Sequence, residues 1–156
     1  AYQKKEENEE FRMFLKAYDH KKLDEIVHHL NCKYLSEFDC TTCANCCKSL
    51  NVPFQKEELQ TIADHLHLSY AQMEKKYVGR EIAEGFLLKG EVCPFLQDNK
   101  CTIYEYRSQA CRSFPHLHKD HIAHRLLNII DNSSICPIIY NVLEDLKIKT
   151  GFKLKK

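Results

Sequence analysis

The sequence predicts a mainly α fold with a small β-hairpin, arranged as an irregular helical domain. Apolar residues recur at helical spacing along most of the 156-residue chain. Short apolar runs separated by turn residues occur mainly between residues 85 and 104, which is typical of a hairpin. A chain of this length can bury a real core without disulfide staples. Together these features favour a helix-rich domain over a small disulfide scaffold.

Two helices are predicted at the start of the chain. Residues 3–17 favour a helix whose apolar stripe is formed by Phe11, Phe14, Leu15 and Tyr18. A second helix is predicted to begin at Asp19 and to bury Leu23, Ile26, Val27 and Leu30. We expect the two helices to form a hairpin that covers the cysteine-bearing part of the chain.

The segment after these helices combines a polar, cysteine-rich run with two further helices. Residues 40–47 are small and polar, which suits a loop or a tight first turn. Residues 55–68 have the periodicity of a helix with one buried face. Ser69 is then placed to cap the next helix, at 70–78.

A hairpin and a short helix are predicted to carry three of the later cysteines. Residues 85–104 contain the turn-forming pair Asp-Asn and would present Cys93 and Cys101 on neighbouring strands. A short helix through 104–112 would carry Cys111. These cysteines fall at turns and at the ends of elements, where side chains from different segments can converge.

No internal repeat or Pro/Gly/Ser-rich linker divides the chain. The predicted organisation is an N-terminal helical hairpin extension at 1–35, a cysteine-cluster domain at 36–148 and a basic tail at 149–156. Pro137 is well placed to open the last helix, at 137–148.

The charge balance gives no indication of nucleic-acid binding. The chain has 23 basic and 22 acidic side chains and a formal net charge of +1, so no broad positive field would attract a phosphate backbone. None of the four glycines belongs to a phosphate-cradling pattern. Nucleotide and dinucleotide binding are therefore disfavoured.

The expected location is cytoplasmic. The first residues, AYQKKEENEEFRMFLK, are charged where a secretory signal would be apolar. No stretch approaches the roughly 20 apolar residues that a membrane span requires. In a reducing compartment, clustered cysteines are more often metal ligands or redox centres than structural bridges. The odd number of cysteines, nine, also argues against a complete disulfide framework.

The run CTTCANCC, residues 40–47, suggests metal binding. Cys40, Cys43 and Cys46 are spaced three residues apart, which resembles the CxxCxxC run of iron–sulfur proteins, but the usual fourth spacing is missing. Cys47 follows Cys46 directly, and neighbouring cysteines rarely point at one metal without strain. Cys47 is therefore expected to bind a second metal or another atom of a polynuclear cluster. The alternative is that Cys47 is a small apolar side chain buried in the core.

Further cysteines downstream bring the candidate metal ligands to eight. Four thiolates at about 2.3 Å make a closed tetrahedral zinc site, and four likewise hold an iron–sulfur cluster. Eight would supply two four-sulfur sites or one larger cluster. The domain is thus expected to be organised around a cysteine-ligated metal site, with zinc, iron and an iron–sulfur cluster all open. The candidate ligands are Cys40, Cys43, Cys46, Cys47, Cys93, Cys101, Cys111 and Cys136.

The cysteine phrases resemble a known family. CTTCANCC, followed by CPFLQDNKCTIYEYRSQACRSFP and by CP at 136, resembles the YkgJ-type cysteine-cluster proteins, which carry a CxxCxxCC signature and are described as zinc- or iron-chelating domains. The resemblance covers roughly residues 36–145. It implies a metal site built from the eight cysteines, and it leaves the reaction open. Family members are often called iron–sulfur oxidoreductases, and related domains accompany a flagellin lysine methylase.

One departure from the family pattern concerns the segment before Cys111. The family usually has Arg-Pro there, whereas Arg107 is followed by Ser108 in this chain. Loss of the proline affects the start of a helix and leaves the set of thiols intact.

Three residues near the later cysteines are candidates for stabilising a bound metal or cluster. Arg107 and Arg112 flank Cys111, and a guanidinium with five donors suits a thiolate-rich site, although ordinary salt bridges are an equal alternative. Tyr104 could pack over the site with its hydroxyl available, or belong to the core.

Two other groups have alternative roles. Cys32 lies outside the signature and is expected to pack in the core, the alternative being an extra ligand or redox partner. A histidine-rich segment could supply one metal ligand, but lacks the HExxH spacing of a catalytic zinc site, so solvated or packed histidines are favoured. Its histidines are His116, His118, His121 and His124.

The sequence therefore predicts a metal-binding protein that holds zinc or iron through eight cysteines. The first alternative is an iron–sulfur or iron-dependent oxidoreductase, or an electron-transfer protein, acting on a peptide or protein partner. The second is a thiol redox sensor in which CxxC pairs form disulfides. The expected partner is a metal ion, with a protein or peptide partner open and neither nucleic acid nor membrane indicated. Whether the protein is an enzyme is left open.

Overall fold

The computed structural model describes residues 4–154, which fold into two compact units. Of the described residues, 4–39 and 115–154 form the helical unit, and Cys40–Phe114 form the cysteine unit. The helical unit is therefore discontinuous in sequence, with the cysteine unit inserted between its two segments.

Helices dominate the described residues, which confirms the predicted fold class of a mainly α protein with a small β component. The helices are α1 (Lys5–Lys16), α2 (His20–Glu37), α3 (Cys40–Cys43), α4 (Asn45–Ser49), α5 (Lys56–His65), α6 (Tyr70–Tyr77), α7 (Gln109–Ser113), α8 (Ile122–Asn132) and α9 (Pro137–Thr150). The strands are β1 (Val78–Ile82), β2 (Gly85–Leu88), β3 (Leu96–Gln97) and β4 (Lys100–Cys101), and a 3₁₀ turn spans Tyr104–Tyr106.

The helical unit consists of α1, α2, α8 and α9 packed through their apolar faces. In the predicted stripe of α1, Phe11 and Leu15 are completely buried, whereas Phe14 is exposed. Helix α2 packs mainly against α9, and α8 contacts α1, α2 and α9. Asp24 of α2 accepts the N–H groups of His121 and Ile122, both at 2.9 Å, and so caps the start of α8.

A buried ion-pair network ties α1 to α9. The Lys147 side chain is only 8% exposed, and its ammonium lies 2.9 Å from Glu7 and 2.8 Å from Glu144. Lys4 also pairs with Glu144. Burial disfavours ionisation of Glu144, but the hydrogen bonds from Lys147 and Lys4 outweigh it and hold the pKa of this carboxyl below its usual range.

Sequence signals at three helix starts are confirmed. The Asp19 side chain accepts the N–H of Lys22 at 2.8 Å and caps α2. Ser69 caps α6 and forms a capping box with Gln72. Pro137 occupies the first turn of α9, where its missing N–H costs nothing.

The cysteine unit packs α5, α6 and two hairpins around a compact apolar core. The larger hairpin pairs β1 with β2 antiparallel, and the smaller pairs β3 with β4. Gly85 has φ +128°, and a Cβ there would lie 2.5 Å from the Phe54 carbonyl oxygen, so only glycine fits. The buried core residues are Phe54, Leu59, Ile62, Ala63, Met73, Leu88, Phe95 and Ile103.

The local structure differs from the sequence prediction at three places. The run at 40–47, expected to form a loop or a tight first turn, forms two short helices, α3 and α4. The β1–β2 hairpin was not predicted, because its outer strand carries charged residues within VGREI. Cys101 lies on β4 as expected, whereas Cys93 precedes β3, since Pro94 has no N–H to donate to a strand ladder.

None of the helices within residues 4–154 combines the length and the apolar character needed to cross a lipid bilayer.

Candidate metal centre

A left-handed residue organises the cysteine run. Ala44 separates α3 from α4, has φ +54°, and is only 4% exposed. This conformation is costly for a residue with a side chain and reverses the chain between two single turns of helix. Cys43 therefore ends one helix, and Cys46 and Cys47 lie on the next.

Cys46 and Cys47 place their sulfurs side by side. Both side chains are half-buried, and their Sγ atoms are 4.0 Å apart. A hydrogen bond from the Cys47 thiol to the Cys46 sulfur lowers the pKa of Cys46 to about 6 and raises that of Cys47. One of the two neighbouring thiols thus ionises readily, at the expense of the other.

Cys93 is held against Cys47 by the backbone. Its N–H donates to the Cys47 carbonyl at 2.8 Å, so the segment before β3 is attached to α4. The N–H of Phe95, two residues on, points at the Cys93 sulfur. Cys101 on β4 has the same arrangement with the N–H of Ile103. Both N–H groups favour a thiolate.

Cys111 is positioned by the start of α7. Ser108 is fully buried and caps α7 by accepting the N–H of Cys111 at 3.2 Å, and its hydroxyl also bonds the Cys111 sulfur. Glu58 of α5 accepts the N–H of Gln109 at 2.7 Å and so fixes the first turn of α7 to α5. Ser108 therefore supplies both the cap of α7 and a donor to the Cys111 sulfur.

The thiols of the cysteine unit interact with one another electrostatically. Burial raises the pKa of Cys93, Cys101 and Cys111, and the charge of a Cys46 thiolate raises each of them further. Cys47 is likewise affected by Cys46, Cys93 and Cys101. We call this group the thiol cluster, and its members are Cys46, Cys47, Cys93, Cys101 and Cys111.

Arg107 supplies a positive charge beside the thiol cluster. Its guanidinium lies 3.5 Å from the centre of the Tyr104 ring, within cation–π range. The positive charge of Arg107 lowers the pKa of Cys46, and it partly offsets the rise that burial causes in the pKa of Cys101 and Cys111.

Arg112 has a different role from Arg107. The Nε of Arg112 donates to the Arg107 carbonyl at 3.0 Å and its Nη2 donates to the Glu105 carbonyl, so this side chain supports the backbone.

The other predicted ligands lie outside the thiol cluster. Cys40 is exposed and Cys43 is half-buried; both are on α3, which contacts β4. Cys136 belongs to the helical unit, where it is buried and precedes α9. Cys32 lies on an exposed part of α2, so the expectation that it packs in the core was wrong. The buried face of α2 passes through its neighbours Leu30 and Asn31 instead.

The four histidines of the segment 116–124 belong to the helical unit. His116 and His121 adopt positive φ, at +60° and +62°. The ring centres of His121 and His124 are 6.1 Å apart. Burial lowers the pKa of His116, which favours a neutral imidazole.

The donor chemistry of the thiol cluster fits a thiophilic metal. None of the nine cysteines forms a disulfide. Soft, half-buried thiols with N–H and O–H donors at their sulfurs suit zinc or iron. Within residues 4–154, however, no three Cys, His, Asp or Glu side chains are close enough to hold a metal ion as they stand. Ligation would therefore require the thiols to turn towards a common point.

Comparisons with known proteins identify the family. The family model described as "CxxCxxCC: Putative zinc- or iron-chelating domain" matches residues 39–137, more than half of the chain. Comparisons with curated proteins and with solved structures found no match. The matched range contains the whole thiol cluster and the run CTTCANCC that gives the family its signature. The protein therefore belongs to the CxxCxxCC family, whose domain is described as zinc- or iron-chelating.

Proposed function

We propose that the protein binds zinc or iron through the thiol cluster of the cysteine unit. One observation carries the proposal: separate segments of the unit bring five thiols into mutual electrostatic contact beside one guanidinium. These segments are α4, the turn before β3, the strand β4 and the helix α7. Burial and the Cys46 thiolate keep the other four thiols protonated, and a bound cation would offset the charge that they gain when they ionise to ligate it.

The donors around the sulfurs support ligation over simple burial. Backbone N–H groups point at Cys93 and Cys101, and the Ser108 hydroxyl bonds Cys111. Metal-bound thiolates are commonly stabilised by such donors, which offset part of their negative charge. Thiols that served only as small apolar side chains would have no need of them.

The number of thiols bears on how many metals are bound. Five thiols exceed the four that a tetrahedral ion accepts. Cys43 and Cys40 on α3 are proposed to complete the set on the cysteine unit. The assignment of Cys136 rests on the family resemblance. A set of this size suits two metal ions or a polynuclear cluster, and a reducing compartment such as the cytoplasm would keep the thiols available.

Metal binding is proposed to order the cysteine unit. Because the side chains do not yet converge at ligand distance, loading would draw α4, β4 and α7 together. The binding free energy would then contribute directly to the stability of this unit.

Elemental analysis tests the proposal. Protein purified without oxygen is assayed for zinc, iron and acid-labile sulfide, and its visible spectrum is recorded. We expect stoichiometric metal that is reduced in Cys46→Ser and Cys111→Ser and unchanged in Cys32→Ser, whose thiol lies in the other unit. Iron with sulfide and a brown colour would identify an iron–sulfur centre. Metal-free protein, or full occupancy in both cluster variants, would refute the proposal.

A thiol redox sensor is the second candidate, and the Cys46–Cys47 pair favours it. The readily ionised Cys46 thiolate could attack hydrogen peroxide, giving a sulfenic acid and releasing hydroxide. A second thiol of the cluster would then displace water to form a disulfide. If this is the function, metal-free protein loses two thiols per molecule with peroxide and regains them with dithiothreitol, and Cys46→Ser abolishes the response.

A further inference from the structure

We infer that Arg107 is the fixed counter-ion of the metal centre and donates its Nε–H to a metal-bound thiolate. The inference rests on the proposed function and adds to it the residue that offsets the charge of the loaded site. It also separates three residues that the sequence groups together: Arg107, Arg112 and Tyr104.

The position of Arg107 is set by its neighbours before any metal is bound. The Tyr104 ring lies against one face of the guanidinium, at 3.5 Å. Arg112 holds the carbonyls of Glu105 and Arg107, which fixes the backbone that carries the guanidinium. Ser108 then caps α7 immediately after it. A long, flexible side chain is thus held by the aromatic ring against its guanidinium and by the supported backbone that carries it.

The Nε of Arg107 is buried and has no hydrogen-bond partner among residues 4–154. Buried donors are rarely left unsatisfied in folded proteins, and those that are call for an explanation such as an absent ion or ligand. The thiols of Cys46, Cys101 and Cys111 lie within electrostatic range of this guanidinium. A thiolate drawn inward by a metal would be the missing acceptor.

Charge balance gives this contact a function. Four thiolates around a divalent ion leave a net charge of −2, so a nearby fixed cation favours the loaded site over the empty one. Arginine suits the position better than lysine, because its planar guanidinium can stack on Tyr104 and still present Nε–H to sulfur. Arg107 is therefore a positioning residue, and it acts on the metal through the ligand sulfur.

Cobalt(II) provides the test, because thiolate-to-cobalt charge-transfer bands report on the electron density of the ligand sulfurs. Metal-free protein is titrated with cobalt under anaerobic conditions, and zinc affinity is measured by competition with a chromophoric chelator. The variants are Arg107→Ala and Arg107→Lys. The control is Arg80→Ala, which removes an exposed arginine from β1 of the same unit.

We expect Arg107→Ala to bind the same number of cobalt ions with roughly 10–100-fold lower affinity, the usual effect of removing a partner of a metal ligand. Its charge-transfer band should shift to lower energy, because the sulfur loses a hydrogen bond. Arg107→Lys should recover part of the affinity and keep the shifted band, and Arg80→Ala should behave as the wild type.

Each other outcome has a distinct meaning. An unchanged band in both Arg107 variants would overturn the inference, even if affinity fell, because a purely structural role lowers affinity without altering the sulfur. Failure of the wild-type protein to bind cobalt or zinc would instead refute the proposed function itself.

Discussion

The backbone N–H of Cys93 donates to the carbonyl of Cys47 at 2.8 Å. This bond attaches two segments of the thiol cluster to each other through main-chain atoms alone. The geometry that brings the two thiols together is thus independent of the side chains that would bind metal.

Cys93→Ser is therefore expected to lower metal content without unfolding the protein. Serine has nearly the same volume as cysteine, and it leaves the bond between the two backbones in place. Metal content is measured by elemental analysis, and the fold by far-UV circular dichroism. Cys32→Ser is the matched control, because it replaces an exposed thiol of the helical unit. Normal metal content in Cys93→Ser would remove this residue from the ligand set.

Ala44 should accept glycine and reject valine. A β-branched residue is a severe outlier at φ +54°, whereas glycine adopts this conformation freely. Ala44→Val is expected to lower the free energy of unfolding by about 1–3 kcal/mol and to reduce metal content, because α3 and α4 can no longer be joined as they are. Ala44→Gly should retain metal.

Urea unfolding measures the free energy of unfolding of both Ala44 variants, and elemental analysis measures their metal content. Equal behaviour of the valine and glycine variants would show that the left-handed turn does not position the cysteines.

Removal of metal should loosen the cysteine unit selectively. We expect faster amide exchange in β3, β4 and α7 after treatment with a chelator, because these elements carry Cys101 and Cys111 or adjoin Cys93. Hydrogen exchange followed by mass spectrometry measures the change, with α9 of the helical unit as the internal reference. Identical exchange with and without metal would mean that binding free energy is not coupled to folding here.

The helical unit should lose stability in acid through Glu144. Its pKa is lower in the folded than in the unfolded protein, so its stabilising contribution is complete above the unfolded value and is lost as the pH falls through the folded value. Glu144→Gln should cost about 1.5–3 kcal/mol at pH 7, the range for hydrogen bonds to a charged group. It should also flatten the decline below about pH 4.3, the ordinary glutamate pKa.

Thermal unfolding between pH 3 and pH 7 compares Glu144→Gln with Glu74→Gln, an exposed glutamate on α6. A decline in acid as steep in Glu144→Gln as in the wild type would assign the acid sensitivity to other groups.

The parts of the fold that could be predicted from sequence are those governed by local rules. The buried stripe of α1 follows from helical spacing, as Phe11 and Leu15 show. Ser69 and Pro137 mark helix starts through their own hydrogen-bonding properties. The cysteine phrases likewise pointed to the family, because their spacing is visible along the chain.

The remaining features depend on contacts between distant residues. Alanine has no intrinsic preference for the left-handed conformation, so the sequence does not predict it at Ala44. Ala44 adopts this conformation at a buried position between α3 and α4. The different roles of Arg107 and Arg112 arise from where the carbonyls and the Tyr104 ring lie. The exposure of Cys32 was missed because composition does not tell which face of α2 is covered.

The insertion of the cysteine unit within the helical unit affects the order of folding during synthesis. Domains usually fold as units while the chain emerges from the ribosome, beginning at the N-terminus. Here α2 is made early, but it packs mainly against α9, which begins at Pro137. The cysteine unit is complete at Phe114. It can therefore fold while α2 still lacks its partner helix α9, so the middle segment of the sequence can reach its structure before the first.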